Sequence, residues 1–322
     1  MPAVIRQGSH LADTHVVEKS HVTAVAASRG SQIVAALLLA LAALSWSGNH
    51  IIARYVGDKV PSWSLNFTRW IVVALLLGIF AGRSLRADWP LIKRHWLVLT
   101  FLGAIGGGIF GALQYVGLRY TTALNMGVMN SVAPALIALA SFLIFRDRIG
   151  WLQALGILIS LSGVVAIVTK LNPDVFYTLA FNGGDLILVL NMSLWAIYSA
   201  CLRLRPNIAP TSFLFTLAAS AAVVTMPFAA IEYAGGARLD INEITAGAIA
   251  YAALISSLLA YLCWGRGVDT LGVARAGSFL HLVPLFGALL ATSLLGETLG
   301  LHHLVGFALI LAGVTLAVRR AA

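Results

Sequence analysis

Ten apolar runs follow one another along the chain, each parted from the next by a short polar or proline-bearing break. They cover about 33–53, 64–82, 97–118, 123–145, 151–169, 186–204, 212–230, 246–264, 274–295 and 300–318. A helix needs about 20 apolar residues to cross the hydrocarbon core of a bilayer, and each run comes close to that length. The breaks carry membrane-boundary residues: Asp58-Lys59-Val60-Pro61, Arg83 to His95, Arg146-Asp147-Arg148, Asn172-Pro173-Asp174, Arg203-Leu204-Arg205-Pro206, Glu232 to Glu243, and Gly296-Glu297. The pattern predicts an all-α integral membrane protein with ten transmembrane helices. Residues 1–30 mix charged residues and histidines with apolar scraps and hold no signal-peptide core. They are expected to form a disordered tail.

Lys and Arg orient the helices. With the N-terminus inside, fifteen basic residues fall on the inner side and five on the outer, the five being Arg54, Lys59, Arg119, Lys170 and Arg238. Basic residues are retained in the cytoplasm, so both termini are expected there; the remaining Arg69 lies within the second run.

Composition removes several classes of function. Of 322 residues, 60% are hydrophobic and 10% charged, against about 45–50% apolar in soluble domains, which excludes a soluble enzyme on a single anchor. The net charge of +9 is spread singly between apolar runs, with no dense patch to track phosphates, so no nucleic-acid partner is expected. Cys201 and Cys263 lie inside apolar runs and form no CxxC, so they read as packing residues. The tail histidines at 10, 15 and 21 share no helical face, and no metal site or cofactor is expected.

The sequence also repeats itself. A shift of 150 aligns 134–164 with 284–314 without a gap, matching eight of 31 positions, including Pro134/Pro284, Gly150/Gly300, Gly156/Gly306 and Gly163/Gly313. At an offset of 149, Trp46 of the first helix meets Trp195 of the sixth. Two five-helix halves follow, 31–170 and 184–319, joined by a linker at 171–183. An odd number of helices per half forces the second half to insert upside down, which is the inverted repeat of many transporters.

Trp46-Ser47-Gly48-Asn49, Arg69, Pro134, Trp195-Ala196-Ile197-Tyr198, Pro284, Gly296-Glu297 and Gly306 with Gly313 together resemble the EamA repeat of the drug/metabolite transporter superfamily. The resemblance spans residues 31–319. It implies a ten-helix carrier, surrounded by membrane lipid, whose central cavity alternates between the two faces of a bacterial inner membrane; the oligomeric state is left open, a monomer being compatible with it. In overall appearance the chain is most similar to bacterial exporters of aromatic amino acids. One departure is visible: where the family often closes the fourth helix with Glu, this chain has Arg146-Asp147.

Candidate binding residues sit on helical faces. Trp46, Asn49 and His50 are spaced i, i+3, i+4 on the first helix, and Asn191, Trp195 and Tyr198 form a comparable face on the sixth. Polar groups at that depth are costly unless they face a cavity or a partner helix. The alternative places the tryptophans in an interfacial belt and lets the amides bond neighbouring helices. Gln114 and Tyr115 on the third helix, Trp264 on the eighth, Asn130 and Ser131 on the fourth, and Ser278 and His281 on the ninth extend the set. Ser131 and His281 precede the paired prolines, which free backbone carbonyls one turn earlier; a buried histidine bonded to a carbonyl is the bland alternative. The substrate-binding set is Trp46, Asn49, His50, Tyr115, Asn191, Trp195, Tyr198, Trp264 and His281. Arg69 has two readings, a bidentate fork for a substrate carboxylate or a side chain snorkelling to the interface. Its position eight residues after Pro61 favours the second.

Gly106-Gly107-Gly108-Ile109-Phe110-Gly111 matches GxGxxG, but no strand precedes it and it lies within an apolar run, so the nucleotide reading fails. Gly103, Gly107 and Gly111 instead offer a small-residue face for close helix contact, as do the paired glycines of the fifth and tenth helices. All twelve acids fall in the tail, in loops or at helix ends. That argues against proton antiport, which needs an intramembrane carboxylate, and against small multidrug exporters, which resemble half of this chain but carry a first-helix Glu. His50 and His281 remain as titratable candidates. The expectation is therefore facilitated export of small organic metabolites, aromatic and other apolar amino acids first, with no catalytic residue. Exporters of other metabolites or drugs, a proton antiporter, a channel and an intramembrane enzyme are the alternatives; against the last, no HExxH or paired mid-membrane aspartates occur.

Overall fold

The computed structural model describes residues 29–57, 59–130, 132–147, 150–172, 174, 182–271 and 279–318. Most of the tail, most of the linker, Asp58, Ser131 and Ser278 lie outside the described residues, as does the side chain of His281. The described residues form helices and turns and contain no strand.

Among the described residues, six helices are long and apolar enough to cross a membrane: α1 (Arg29–Val56), α2 (Ser62–Phe80), α4 (Trp96–Tyr120), α8 (Gly183–Leu204), α9 (Pro210–Ala234) and α10 (Glu243–Leu271). Shorter apolar helices are α5 (Ala123–Asn130), α6 (Ala133–Phe145), α7 (Trp151–Val168), α11 (Leu282–Leu295) and α12 (Leu301–Val318). A further helix, α3 (Gly82–Arg94), forms where the sequence reads as a break. Ile92 is its one buried residue, while Trp89 is exposed with the Lys93 ammonium 5.6 Å from its ring centroid. A polar helix of this kind suits the headgroup region rather than the hydrocarbon.

Local chemistry explains the helix ends. Pro210 opens α9 at a position whose N–H would be unpaired in any residue. Asn242 and Thr245 form a reciprocal capping box at the start of α10, and Asn182 accepts from Gly184 N–H at the start of α8. The run at 123–145 divides into α5 and α6 just ahead of Pro134, and a short 3₁₀ turn at Phe279–His281 precedes α11 just ahead of Pro284. Proline cannot donate to the preceding turn, so a continuous helix is hardest to maintain at these points. Past the ends of α6 and α11, Arg146 and Gly296 take positive φ values of 59° and 67°, the left-handed turn that commonly stops a helix.

The most extensive packing is of α7 with α12, followed by α1 with α10 and α2 with α9. In the first, a Cβ on Gly163 would stand 2.6 Å from the Gly306 carbonyl oxygen, and one on Gly313 would collide with Gly156 and Ser160. Backbones this close require glycine and replace hydrophobic driving force with van der Waals contact. Gly103, Gly107 and Gly111 perform the same role on α4, against Leu217 and Ser220, against Trp70 and Ala221, and against Asn66.

Both ends of the bundle are tied by polar links. At one end, Asp88 accepts from Ala209 N–H at 2.9 Å, and Arg203 forms a bidentate pair with Asp147; that guanidinium, through its hydrogen bond first, holds the Asp147 carboxyl below the usual carboxylate range. At the other end, Glu232 accepts from Trp63 and Ser64 N–H at the start of α2, and Glu297 accepts from Ala123 and Leu124 N–H at the start of α5. Arg54 donates to the carbonyls of Leu118 and Arg119 at this second end. Carboxylates favour helix N-termini, where unpaired N–H groups and the helix dipole converge.

Candidate functional site

A central cavity of about 590 Å³, its mouth included, is bounded by α1, α2, α4, α8, α10 and the breaks ahead of the two prolines. Trp46, Asn49 and His50 come from α1, Arg69 from α2, Phe110 and Gln114 from α4, Trp195 from α8, and Ser256 and Tyr261 from α10. Asn130 with Ala133 and Leu280 with Val283 close it from the two breaks. These two pairs are each separated by 150, and Trp46 and Trp195 by 149, so repeat-related positions meet around one space.

Two distorted helices shape the walls. α4 winds into wider π-type turns over Ala104–Ile109 and α10 does so over Tyr251–Leu259. Such turns loosen the ordinary ladder, and π-bulges are frequent at functional sites. Here side chains take up the carbonyls: Trp70 Nε1 donates to Gly107 O at 2.8 Å, and Trp46 Nε1 donates to Ser256 O at 3.1 Å. The Asn66 amide donates to Gly107 and Gly108 carbonyls.

The predicted binding residues separate into three groups. Trp46, Asn49, His50 and Trp195 line the cavity. Tyr115 stands one layer behind: its hydroxyl donates to Asn49 Oδ1 at 3.1 Å and accepts from Arg69 Nη1 at 2.9 Å. Asn191, Tyr198 and Trp264 support the wall instead. Asn191 donates to the Phe110 carbonyl, Tyr198 covers Gly106 and lies 5.2 Å from Trp195 between ring centroids, and Trp264 packs 5.4 Å from Trp46. His281 lies at the cavity-side turn of the second break, its side chain outside the description.

Arg69 departs from the snorkelling expectation. It is 4% exposed, its guanidinium carbon lies 4.6 Å from the Trp70 ring centroid, and it forms part of the cavity wall. Phe110, Ser256 and Tyr261 were absent from the sequence-derived set, although Tyr261 shares a helix face with Trp264 three residues on. Gln114 and Asn130 were visible in sequence as polar positions within apolar runs. Among the described residues, the His50 ring, the Gln114 amide, the Trp195 indole and the Tyr261 hydroxyl make no hydrogen bond to protein. Of these, His50 Nδ1 is a fully buried atom without a protein partner, where buried polar groups are normally paired, and the other three open onto the cavity, where a ligand or water can meet them. Among the described residues, no group of three or more His, Cys, Asp or Glu is arranged to hold a metal.

The family comparison matches residues 33–169 and 182–319 to the EamA-like transporter family. An uncharacterized transporter of Bacillus subtilis, YyaM, is 28% identical over 82% of this chain and 86% of its own. A probable terminal-alkyne amino-acid exporter of Streptantibioticus cattleyicolor is 25% identical, covering 88% of this chain and 92% of that one. A probable amino-acid metabolite efflux pump of Salmonella typhimurium is 24% identical, with 86% and 92% covered.

Proposed function

We propose that this chain, which belongs to the EamA-like transporter family, exports small organic metabolites that join an apolar, often aromatic, body to a carboxyl-bearing head, amino acids being the first to test. Membrane transport follows from the family; the substrate class rests on the cavity. The observation that carries it is the wall itself, where four aromatic rings (Trp46, Phe110, Trp195 and Tyr261) face polar groups that lack protein partners. Rings accept the apolar body and the polar groups orient the head.

The architecture goes with this reading: ten crossings, two inverted five-helix halves, a bacterial inner membrane and both termini in the cytoplasm. Support comes from the polar links at the two ends of the bundle. With ten alternating crossings, each joins segments assigned to the same side: 88 with 209 and 147 with 203 on one, and 54 with 118–119, 63–64 with 232 and 123–124 with 297 on the other. Cysteines introduced at 58 and 86 should label from outside and inside respectively, and reversed labelling overturns the orientation.

Transport is proposed as facilitated alternating access, since the described residues of the cavity wall include no carboxylate to carry a proton. Reconstituted in liposomes, the full chain should give saturable counterflow of labelled aromatic substrates without an imposed pH gradient. Non-saturable flux indicates a channel. Transport that vanishes when the pH gradient collapses, with substrate gradients fixed, overturns the facilitated reading.

A further inference from the structure

Arg69 carries the only guanidinium in the cavity wall among the described residues, and its surroundings hold no acid to balance it. One nitrogen, Nη1, donates to the Tyr115 hydroxyl, while Nε–H finds no acceptor among the described residues. The nine acids among the described residues are all accounted for elsewhere. Asp88, Asp147, Asp185, Glu232 and Glu297 bond other partners; Asp240, Glu243 and Asp269 are exposed, as is Asp174. The remaining three are at positions 13, 18 and 58, in the tail and the first break. The undescribed stretch 272–278 and Ser131, next to the cavity in sequence, contain no acidic residue.

A buried charge without a counter-charge is expensive, and an intramembrane ionisable residue is a functional site by default. Burial by itself would be met by snorkelling or by a protein carboxylate, and among the described residues Arg69 has neither. Tyr115 and Asn49 instead fix it in place, in a chain running from guanidinium to hydroxyl to amide oxygen, so its remaining donors are presented in a set orientation. A guanidinium held by one edge keeps other N–H groups for a planar, two-oxygen acceptor.

We infer that Arg69 is the receptor for a substrate carboxylate, and that the cavity prefers monoanionic carboxylates bearing an aromatic or apolar body over the corresponding zwitterions. This deepens the carrier reading and rests on it for transport, though not for binding. An amino-acid ammonium entering the same space meets a fixed positive charge and no negative one. Ring faces attract cations, but that attraction is set against the guanidinium a few ångströms away. Deaminated or N-acylated relatives of aromatic amino acids keep the ring and the carboxylate while losing the opposed charge.

The experiment compares three probes that share a phenyl ring and a two-carbon spacer to the charged head: 3-phenylpropanoate, phenylalanine and 2-phenylethylamine. Equilibrium binding of each, labelled, is measured on the purified full chain by scintillation proximity, and counterflow is measured in liposomes against protein-free controls. The expected order is phenylpropanoate tightest, at least tenfold ahead of phenylalanine, with the amine weakest. Arg69→Gln should weaken phenylpropanoate at least tenfold and change the amine less than threefold, while Arg69→Lys should retain the order. Should Arg69→Gln fail to fold, the wild-type order across the three probes still decides. Phenylalanine or the amine binding as tightly as phenylpropanoate overturns the inference and leaves the carrier reading standing; so does saturable binding of none while other metabolites exchange. Ordered binding without saturable counterflow supports the carboxylate receptor and overturns the carrier.

Discussion

Two buried polar clusters, some distance apart in the fold, use similar residues to different ends. Beside the cavity, Arg69, Tyr115 and Asn49 form a chain that stops at open space. Near the end of the bundle that also holds Glu297, Asp185 at the first turn of α8 accepts from Thr121 Oγ1 and from Asn125 Nδ2. His303 Nδ1 accepts from Gly300 N–H, which leaves Nε2 to donate to Asn125 Oδ1. This second network closes on protein almost completely, with Asp185 Oδ2 as the one atom lacking a partner among the described residues. It ties α4, α5, α8 and α12 together and contributes no residue to the cavity wall described above. Burial and polarity are therefore shared by both clusters; on the proposed reading, the first is a binding group because its unused hydrogen bonds face the cavity.

The largest expected effect breaks the second cluster. Asp185→Ala leaves the Thr121 and Asn125 donors without their acceptor, and stranded buried donors cost about 1–3 kcal/mol each. Thermal unfolding in detergent should fall accordingly, while the half-saturation constant of the surviving protein stays within about twofold. A large change in substrate affinity with normal stability would erase the distinction between the clusters.

Next comes Asn49→Ala. It removes the acceptor that positions Tyr115 and, through it, Arg69; a hydrogen bond in a charged network is worth about 1.5–3 kcal/mol, so transport should weaken roughly tenfold in counterflow assays. An unchanged half-saturation constant would mean that the chain is a packing device like the Asp185 network.

Trp195→Phe keeps the ring and deletes the indole N–H, and a neutral hydrogen bond is worth about 0.5–1.5 kcal/mol. A rise of about two- to tenfold in half-saturation is expected, against no change if the indole merely fills space.

The smallest effects belong behind the wall. Tyr198→Phe and Cys201→Ala, both at positions 3–4% exposed and packed in the same apolar cluster, should each alter transport by less than about twofold. A tenfold loss at Tyr198 with normal expression would bring it back into the binding layer.

The linear chain by itself determined the membrane environment, the helical class and the recurrence of key positions, because burial in hydrocarbon imposes length and composition that no loop or soluble core needs. The glycine pairs were legible for the same reason: close backbones tolerate no Cβ, whatever surrounds them. Which polar side chain reaches the cavity was decided only by the tertiary structure. Helical spacing defines a face but neither its rotation toward a neighbour nor the local winding, and the π-type turns of α4 and α10 cannot be read from glycine and serine content alone. Asn49 and Asn191 look equivalent in sequence, yet one borders open space and the other donates to the Phe110 carbonyl. Arg69 lies near enough to a helix start to suggest the interface, and only the assembled bundle holds it inward, since a long flexible side chain takes its direction from the partners that surround it.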